Sequence, residues 1–291
     1  MEALRNMTIG EILGLLVFLL LAALVAIPLW RQARRQTERM LIMRRLEKSR
    51  GSRVITLIHR QEALSFLGIP FYRYIDMEDS EQILRAIHLT PDETPIDLII
   101  HSPGGLVLAT EQIAHALRQH KGKVTVMVPH YAMSGGTLIA LAASEIMMDA
   151  NAVLGPVDPQ LQTSDGNLPA TSILRVTHQK ELADLEDNTL ILADVAEKAV
   201  SQVKTFIRWL LSDRLSIDQA ERIASHLAEG SWTHDAPLPV EVLLEIGLKV
   251  TVGLPEEVYQ LMELYPQASV RRPSVQFIPL PYEKKDEVKK K

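Results

Sequence analysis

A serine ahead of two glycines, Ser134-Gly135-Gly136, and an earlier pair, Gly104-Gly105, are the residues of this chain best suited to covalent chemistry. Each pair closes a short apolar run, "PIDLIIHSPGG" (95–105) and "GKVTVMVPHYAMSGG" (122–136), and each opens an apolar helical pattern. In open α/β sheets the C-terminal edge of the strands is where ligands bind. Helix N-termini at that edge present unpaired N–H groups and the positive end of a dipole. Amides of Gly105 and Gly135 could together hold a developing oxyanion, and glycine lets backbone approach a substrate closely or take positive φ. Taken singly, either pair also reads as a plain turn, and Ser134 as a helix N-cap, the commoner task of a serine in that place.

A serine hydroxyl is a weak nucleophile and requires a base. His101 and His130 lie near the turns in sequence and read as packing or hydrogen-bonding residues. Asp158 and Asp165 either orient a base or serve as polar loop groups, and His234-Asp235 in "WTHD" reads as structural because it is far along the chain from both turns. No H-E-x-x-H pattern and no G-x-x-x-x-G-K loop occurs, so neither a metal nor a phosphate-bearing cofactor is expected. Cysteine is absent, which excludes disulfides, thiolate catalysis and cysteine-ligated zinc and suits a reducing compartment.

The elements around the turns alternate. "RVITLIHR" reads as a strand and "MEDSEQILRAIHL" as a helix with Asp79 or Ser80 as its N-cap. Two strand–turn–helix units follow, the helices being "LVLATEQIAHALRQH" and "TLIALAASE", then a short strand at "IMMDA" and a long loop over 151–170. From Leu182 to about Leu211 the pattern is helical. "SIDQAERIASHLAEG" is another helix, and "PVEVLLEIGLKV" a short helix running into a closing strand. Alternation at this spacing predicts a parallel α/β architecture with right-handed crossovers. The proline-bearing segment beyond Pro266 and "EKKDEVKKK" read as a surface arm and a disordered tail.

The beginning of the chain is of another kind. Ile12 to Trp30 carries no charge, and at about 1.5 Å per residue it spans roughly 28 Å, close to the hydrocarbon thickness of a bilayer. A cleaved signal peptide is disfavoured by the barely basic residues before it and by its length. Nine cations, Arg31 to Arg53, oppose only Glu38 and Glu47 just after it, a net +7 that predicts a cytoplasmic flank and attraction to anionic headgroups. With −1 on residues 1–30 and −5 on the whole, −11 is left for Val54 onward, a poor match for nucleic acid. The expected organisation is an anchor (1–30), a basic juxtamembrane linker (31–53), the main domain (54–265) and the arm and tail (266–291).

Taken together, "HSPGG" (101–105), "AMSGGTLIALAASEIMMDANAVLGPV" (132–157), the "LGPVDPQ" loop and "GSWTHDAPLPVEVLLEIGLKV" (230–250) resemble the Clp-protease/crotonase superfamily. The likeness is to its signal-peptide-peptidase-like serine proteases, and within them to the membrane-anchored family labelled serine dehydrogenase proteinases. It runs from about residue 54 to 265. The resemblance implies an α/β fold with a Clp/crotonase-like ββα spiral core, Ser134 as nucleophile, and Gly105 and Gly135 as oxyanion donors. Clp proteases place a histidine about two dozen residues after the serine, where this chain has Asp158. Signal-peptide-peptidase-like members use a lysine before a long helix, and "SILRVTHQKELADLEDNTLILADV" supplies Lys180 there, with His178 its main competitor and Lys198 a weaker one. A lysine acts as a base near neutrality only when its pKa falls by about three units, roughly 4 kcal/mol of disfavoured charge that burial in an apolar cleft can supply.

The expectation is a membrane-anchored serine peptidase with a Ser134–Lys180 dyad and no cofactor, acting on polypeptides, some of them membrane-associated. Residues 12–30 would contact the bilayer, and the superfamily's habit implies a homo-oligomer. A catalytically silent scaffold of the same fold is the rival reading. Crotonase-type acyl-CoA chemistry is a third, and the "SGG" turn argues against it.

Overall fold

The computed structural model describes residues 8–59, 64–66, 69–71, 74–164 and 166–265. Asp165 and the expected arm from 266 onward lie outside the described residues. Helix α1 (Ile9–Arg50) leads into β1 (Arg53–Ile58). A small hairpin of β2 (Leu64–Phe66) and β3 (Ile69–Phe71), α2 (Met77–His88), β4 (Ile96–His101) and α3 (Val107–Gln119) follow. Next are β5 (Val124–Val128), β6 (Tyr131–Ala132), α4 (Gly135–Leu141), β7 (Glu145–Met148) and β8 (Val153–Leu154). A second hairpin, β9 (Gln160–Thr163) and β10 (Gly166–Pro169), precedes α5 (Ala170–Gln179) and the long α6 (Asp187–Leu211). The chain continues through α7 (Ile217–Ala228), β11 (Leu238–Pro239), α8 (Val240–Glu245), β12 (Thr251–Val252) and α9 (Glu256–Glu263).

The main sheet has the order β1-β4-β5-β7-β12, and every pairing in it is parallel. Its central strands, β4 and β5, are nearly continuous apolar runs buried at every position, the signature of a parallel sheet covered on both faces. Register places Ile55, Leu98, Val126 and Ile146 in one row on the face that packs against Ile83, Ala109, Ile113 and Leu138 of α2, α3 and α4. Val54, Ile99 and Met127 face the other way, onto α1 and α9.

That second face shows why α1 does not end at the apolar stretch. Ile42 and Leu46, on its last turns, are buried against Ile99, Val258 and Leu261. Arg39 donates to the Leu264 carbonyl at 2.7 Å and lies over the Tyr265 ring. Arg50 grips the buried Asp97 through Nε (2.5 Å) and Nη2 (3.1 Å), and Ser52 Oγ donates to the same carboxylate. The hydrogen bond to Asp97 raises the Arg50 pKa, more than burial lowers it. The basic stretch is thus helical up to Arg50, and its last two turns are part of the folded body. Residues 16–35 tell the opposite story: their large side chains are exposed, and this helix is long and apolar enough to cross a membrane.

Three elements differ from the sequence reading. Asp76, not Asp79 or Ser80, is the N-cap of α2; Asp79 is the return partner in a capping box, its carboxylate accepting the Asp76 N–H. The loop expected over 151–170 contains β8 and the β9–β10 hairpin, and α5 follows over residues to which the sequence reading assigned no element. Thr171, Ser172, Val176 and Thr177 are weak helix formers, so α5 rests on packing: Ala170 and Ile173 join Ala196 of α6, with Leu174 and Leu192 around them. Helix α9, beyond the closing strand, is held by Val258 and Leu261 against the α1 face.

Candidate active site

The two glycine turns meet. β4 and β5 are neighbours in the sheet and run in the same direction, so the segments leaving their C-terminal ends emerge side by side. Ser102 bridges to Ala132, and the Met133 N–H donates to the Ser102 carbonyl at 2.9 Å. Gly104, at φ +104°, faces the serine turn so closely that a Cβ there would lie 2.9 Å from both the Met133 carbonyl oxygen and Ser134 Cβ. A Cβ on Gly105 would fall inside the backbone of Ile75. One on Gly135 would sit 2.5 Å from Thr110 Oγ1 of α3. Three glycines are therefore required here by contact, and Gly104 by its dihedral as well.

Ser134 has φ +49° and ψ −116°, the sole positive φ at a non-glycine residue among the described residues. The Gly136 N–H donates to the Met133 carbonyl at 2.7 Å, so residues 133–136 form a tight turn whose first central residue has type II′ dihedrals, a place glycine normally takes. Holding a side chain there costs on the order of 1–3 kcal/mol and persists where the surroundings over-determine it. The strain aims the side chain out of the turn. Ser134 makes no side-chain cap to α4, and its Oγ hydrogen-bonds to no described residue. Ser134 therefore holds the N-cap position of α4 without capping it through its side chain.

Neither the Gly105 nor the Gly135 N–H donates to another described residue. Around Gly105 the neighbouring groups are engaged: the Ile75 N–H donates to the Gly104 carbonyl and the Leu106 N–H to the Ile75 carbonyl, each at 2.8 Å. That bracket turns the Gly105 N–H away from Ile75 and leaves it available. Two unengaged amides thus belong to the strained serine's own turn, at Gly135, and to the turn that Gly104 packs against it, at Gly105. Helix α4 behind the serine is wholly buried, and the carbonyls of Leu141, its last residue, and of Ala143, just beyond it, accept from the guanidinium of Arg214, whose pKa is lowered chiefly by desolvation.

A third segment closes on the serine turn. Thr137 Oγ1 lies 2.8 Å from the carbonyls of Ala132 and Gly155 and accepts the Gly155 N–H at 3.0 Å. Three residues on, Asp158 is 2 % exposed. Its Oδ1 accepts from His234 Nδ1 at 2.8 Å and its Oδ2 from Gln160 Nε2 at 2.7 Å. The hydrogen bond to Asp158 raises the His234 pKa against an opposing contribution from burial. Chain separation made His234 read as remote; the pairing of β11 with β8 returns it to this loop. No sequence spacing announces that contact, because it depends on strand pairing across 84 residues, from Leu154 to Leu238.

Comparison with known proteins decides the family. Residues 3–291 match that of the ClpP-like SDH-type serine proteinases. The chain belongs to this family. Two uncharacterized proteins of Methanocaldococcus jannaschii are similar to this proteinase family member throughout. One is 53 % identical over 272 residues, covering 94 % of this chain and 91 % of that protein. The other is 51 % identical over 280 residues and covers 96 % of each. Among solved structures, a serine-to-alanine variant of a 1510-N membrane-bound stomatin-specific protease matches with TM-score 0.45 at 19 % identity, over 66 % of this chain and 79 % of that one. ClpP1 from Listeria monocytogenes matches with TM-score 0.44 at 16 % identity, over 73 % of this chain and 97 % of that one. The α/β fold with a Clp/crotonase-like core expected from the sequence is the fold of this family member.

Lys180 follows α5 as its C-cap residue, exposed, and no hydrogen bond or ion pair joins it to Ser134 among the described residues. His178 is exposed on the last turn of α5, and Lys198 pairs with Asp194 on α6. No group of three or more His, Asp or Glu that could hold a metal occurs among the described residues.

Proposed function

We propose that this protein is a membrane-anchored serine peptidase in which Ser134 is the nucleophile and the amides of Gly105 and Gly135 receive the oxyanion. The strained, unbonded Ser134 beside two unengaged N–H groups carries the reading. Ser134 Oγ attacks the scissile carbonyl carbon while its proton passes to the base, and the carbonyl oxygen becomes an oxyanion facing the two amides. Collapse expels the amine, which takes the proton back from the base. Water, deprotonated by the same base, then releases the acyl group from Ser134 and regenerates the hydroxyl.

For the base we propose Lys180, on the family resemblance. Its surroundings are consistent with a site completed by assembly. Val176, Leu182, Ile191 and Val195, on α5, α6 and the connection between them, are exposed apolar side chains. A second copy covering them would take the neighbouring amine out of water, which is what a lysine base requires. α1 supplies the membrane anchor, and polypeptides reaching the anchored domain are the substrates.

One observation favours a second assignment of the base. Asp158 fixes His234 through Nδ1 and leaves Nε2 without a partner among the described residues, the tautomer an Asp–His pair uses to accept a serine proton. Fluorophosphonate labelling and peptide hydrolysis by Ser134→Ala, Lys180→Ala and His234→Ala variants separate the two. Ser134→Ala is expected to be inert and Lys180→Ala nearly so, with His234→Ala retaining most activity. A collapse in His234→Ala with Lys180→Ala intact would move the base to His234, and an active Ser134→Ala would remove the peptidase reading.

A further inference from the structure

Behind the first glycine turn lies a second serine, Ser102, fully buried and joined to a histidine and an aspartate. Its Oγ is 3.1 Å from His59 Nδ1. His59, at the end of β1 and itself buried, reaches Asp79 Oδ2 through Nε2 at 3.2 Å. The Gly104 N–H donates to Ser102 Oγ at 3.2 Å. The Asp79 Oδ2 that faces His59 also accepts the Asp76 N–H at 3.1 Å. Ser102 resembles a triad serine in its partners and not in its place: it is closed off from solvent, and its oxygen already accepts the Gly104 amide.

We infer that Asp79, His59 and Ser102 form a positioning relay that fixes the Gly104-Gly105 turn, and with it the Gly105 oxyanion donor. The direction of each bond follows from the donors present. A carboxylate accepts, so His59 Nε2 carries the proton donated to Asp79, and with the imidazole neutral Nδ1 accepts from the Ser102 hydroxyl. That leaves the Ser102 lone pairs for the Gly104 N–H. The alternative acceptor for the Ser102 hydroxyl, the Gly104 carbonyl, is 3.4 Å away and already accepts from Ile75. With His59 in place the hydroxyl is held off that carbonyl. Without it the hydroxyl turns toward Gly104 O and competes with Ile75 for the bond that brackets Gly105. Because a Cβ on Gly104 would lie 2.9 Å from Ser134 Cβ, a shift of this turn by a few tenths of an ångström moves the donor relative to the nucleophile. These three residues are positioning residues; none touches substrate.

The inference rests on the oxyanion role proposed for Gly105, and the test separates the two. Full-length Ser134→Ala, Ser102→Ala, His59→Gln and His59→Asn proteins are labelled with a fluorophosphonate, and kinact and KI are measured along with the thermal midpoint. Deleting an oxyanion donor costs about 10²–10³-fold in rate; displacing one should cost roughly 10- to 100-fold in kinact for Ser102→Ala, with KI unchanged within about two-fold. The His59 pair is the sharper test. The asparagine amide overlays Nδ1 and keeps the bond to Ser102, whereas the glutamine amide overlays Nε2 and keeps only Asp79. His59→Asn is therefore expected to label several-fold faster than His59→Gln, at similar thermal midpoints. Parent-like kinact in Ser102→Ala and His59→Gln, with Ser134→Ala unlabelled, overturns the relay and leaves the peptidase reading standing. Equal kinact in the two His59 variants, tracking their midpoints, also overturns it by reducing the relay to a structural contact. If Ser102→Ala does not fold, the His59 pair decides alone. Labelling of Ser134→Ala at the parent rate removes both.

Discussion

The strain at Ser134 has a measurable counterpart in stability. A side chain at φ +49° and ψ −116° costs on the order of 1–3 kcal/mol. Glycine takes those dihedrals freely but loses about 0.5–1 kcal/mol to the unfolded chain's greater freedom. Ser134→Gly is therefore expected to stabilise the protein by roughly 1 kcal/mol net while abolishing activity. Ser134→Ala is equally inactive, keeps the strain, and loses only a hydroxyl that hydrogen-bonds to no described residue, so its stability should stay within about 0.5 kcal/mol of the parent. For a domain of this size 1 kcal/mol corresponds to about 2–4 °C in the thermal midpoint. The assay is thermal unfolding of the three full-length proteins in the same detergent at one concentration, which holds assembly constant. A Ser134→Gly midpoint at or below that of Ser134→Ala would show that the turn stores no strain, and the argument that this serine is held out for chemistry would lose its energetic basis.

Three further outcomes follow from the same geometry. Gly135→Ala drives a Cβ to 2.5 Å from Thr110 Oγ1 and 3.0 Å from its Cγ2, at a cost of about 1–3 kcal/mol with a loss of fluorophosphonate labelling. Thr110→Ala in the same chain should restore much of the stability, and no restoration would exonerate that contact. Leu46→Ala, fully buried on α1 against α9 and the sheet, should cost about 2–5 kcal/mol in urea unfolding, where a flexible linker residue would cost almost nothing. The raised pKa of His234 gives stability that is whole below the unfolded histidine value, about 6.5, and fades as pH rises through the folded value. Between pH 5.5 and 8.5 the parent should lose more stability than Asp158→Asn, and parallel curves would refute the pairing.

What the sequence disclosed and what it hid divide along a physical line. The strands of the main sheet were legible because a parallel strand buried on both faces is a short apolar run between turn residues, as in "IDLIIH" and "VTVMV". The glycine turns were legible as well, since steric need leaves glycine few substitutes at Gly104 and Gly105. Contacts made across long chain separations were not. His234 meets Asp158 through a two-residue strand pairing, and His59 reaches Ser102 from the adjacent strand, with no local pattern to mark either. α5 was missed because its residues favour helix weakly and acquire it from α6. The packed end of α1 lies within the stretch read as a basic linker, because the arginine count outweighs Ile42, Met43 and Leu46, which face the core.

In the anchored form proposed above, the continuity of α1 has a mechanical meaning. Trp30 closes the apolar stretch and Arg39 is already docked on Leu264 and Tyr265, a helical rise of only about 14 Å. A post so short and stiff lets the folded body neither drift from the lipid nor tumble freely above it. The membrane then serves as a ruler, and the bonds within reach of Ser134 would be chosen by their height above the bilayer as much as by their side chains.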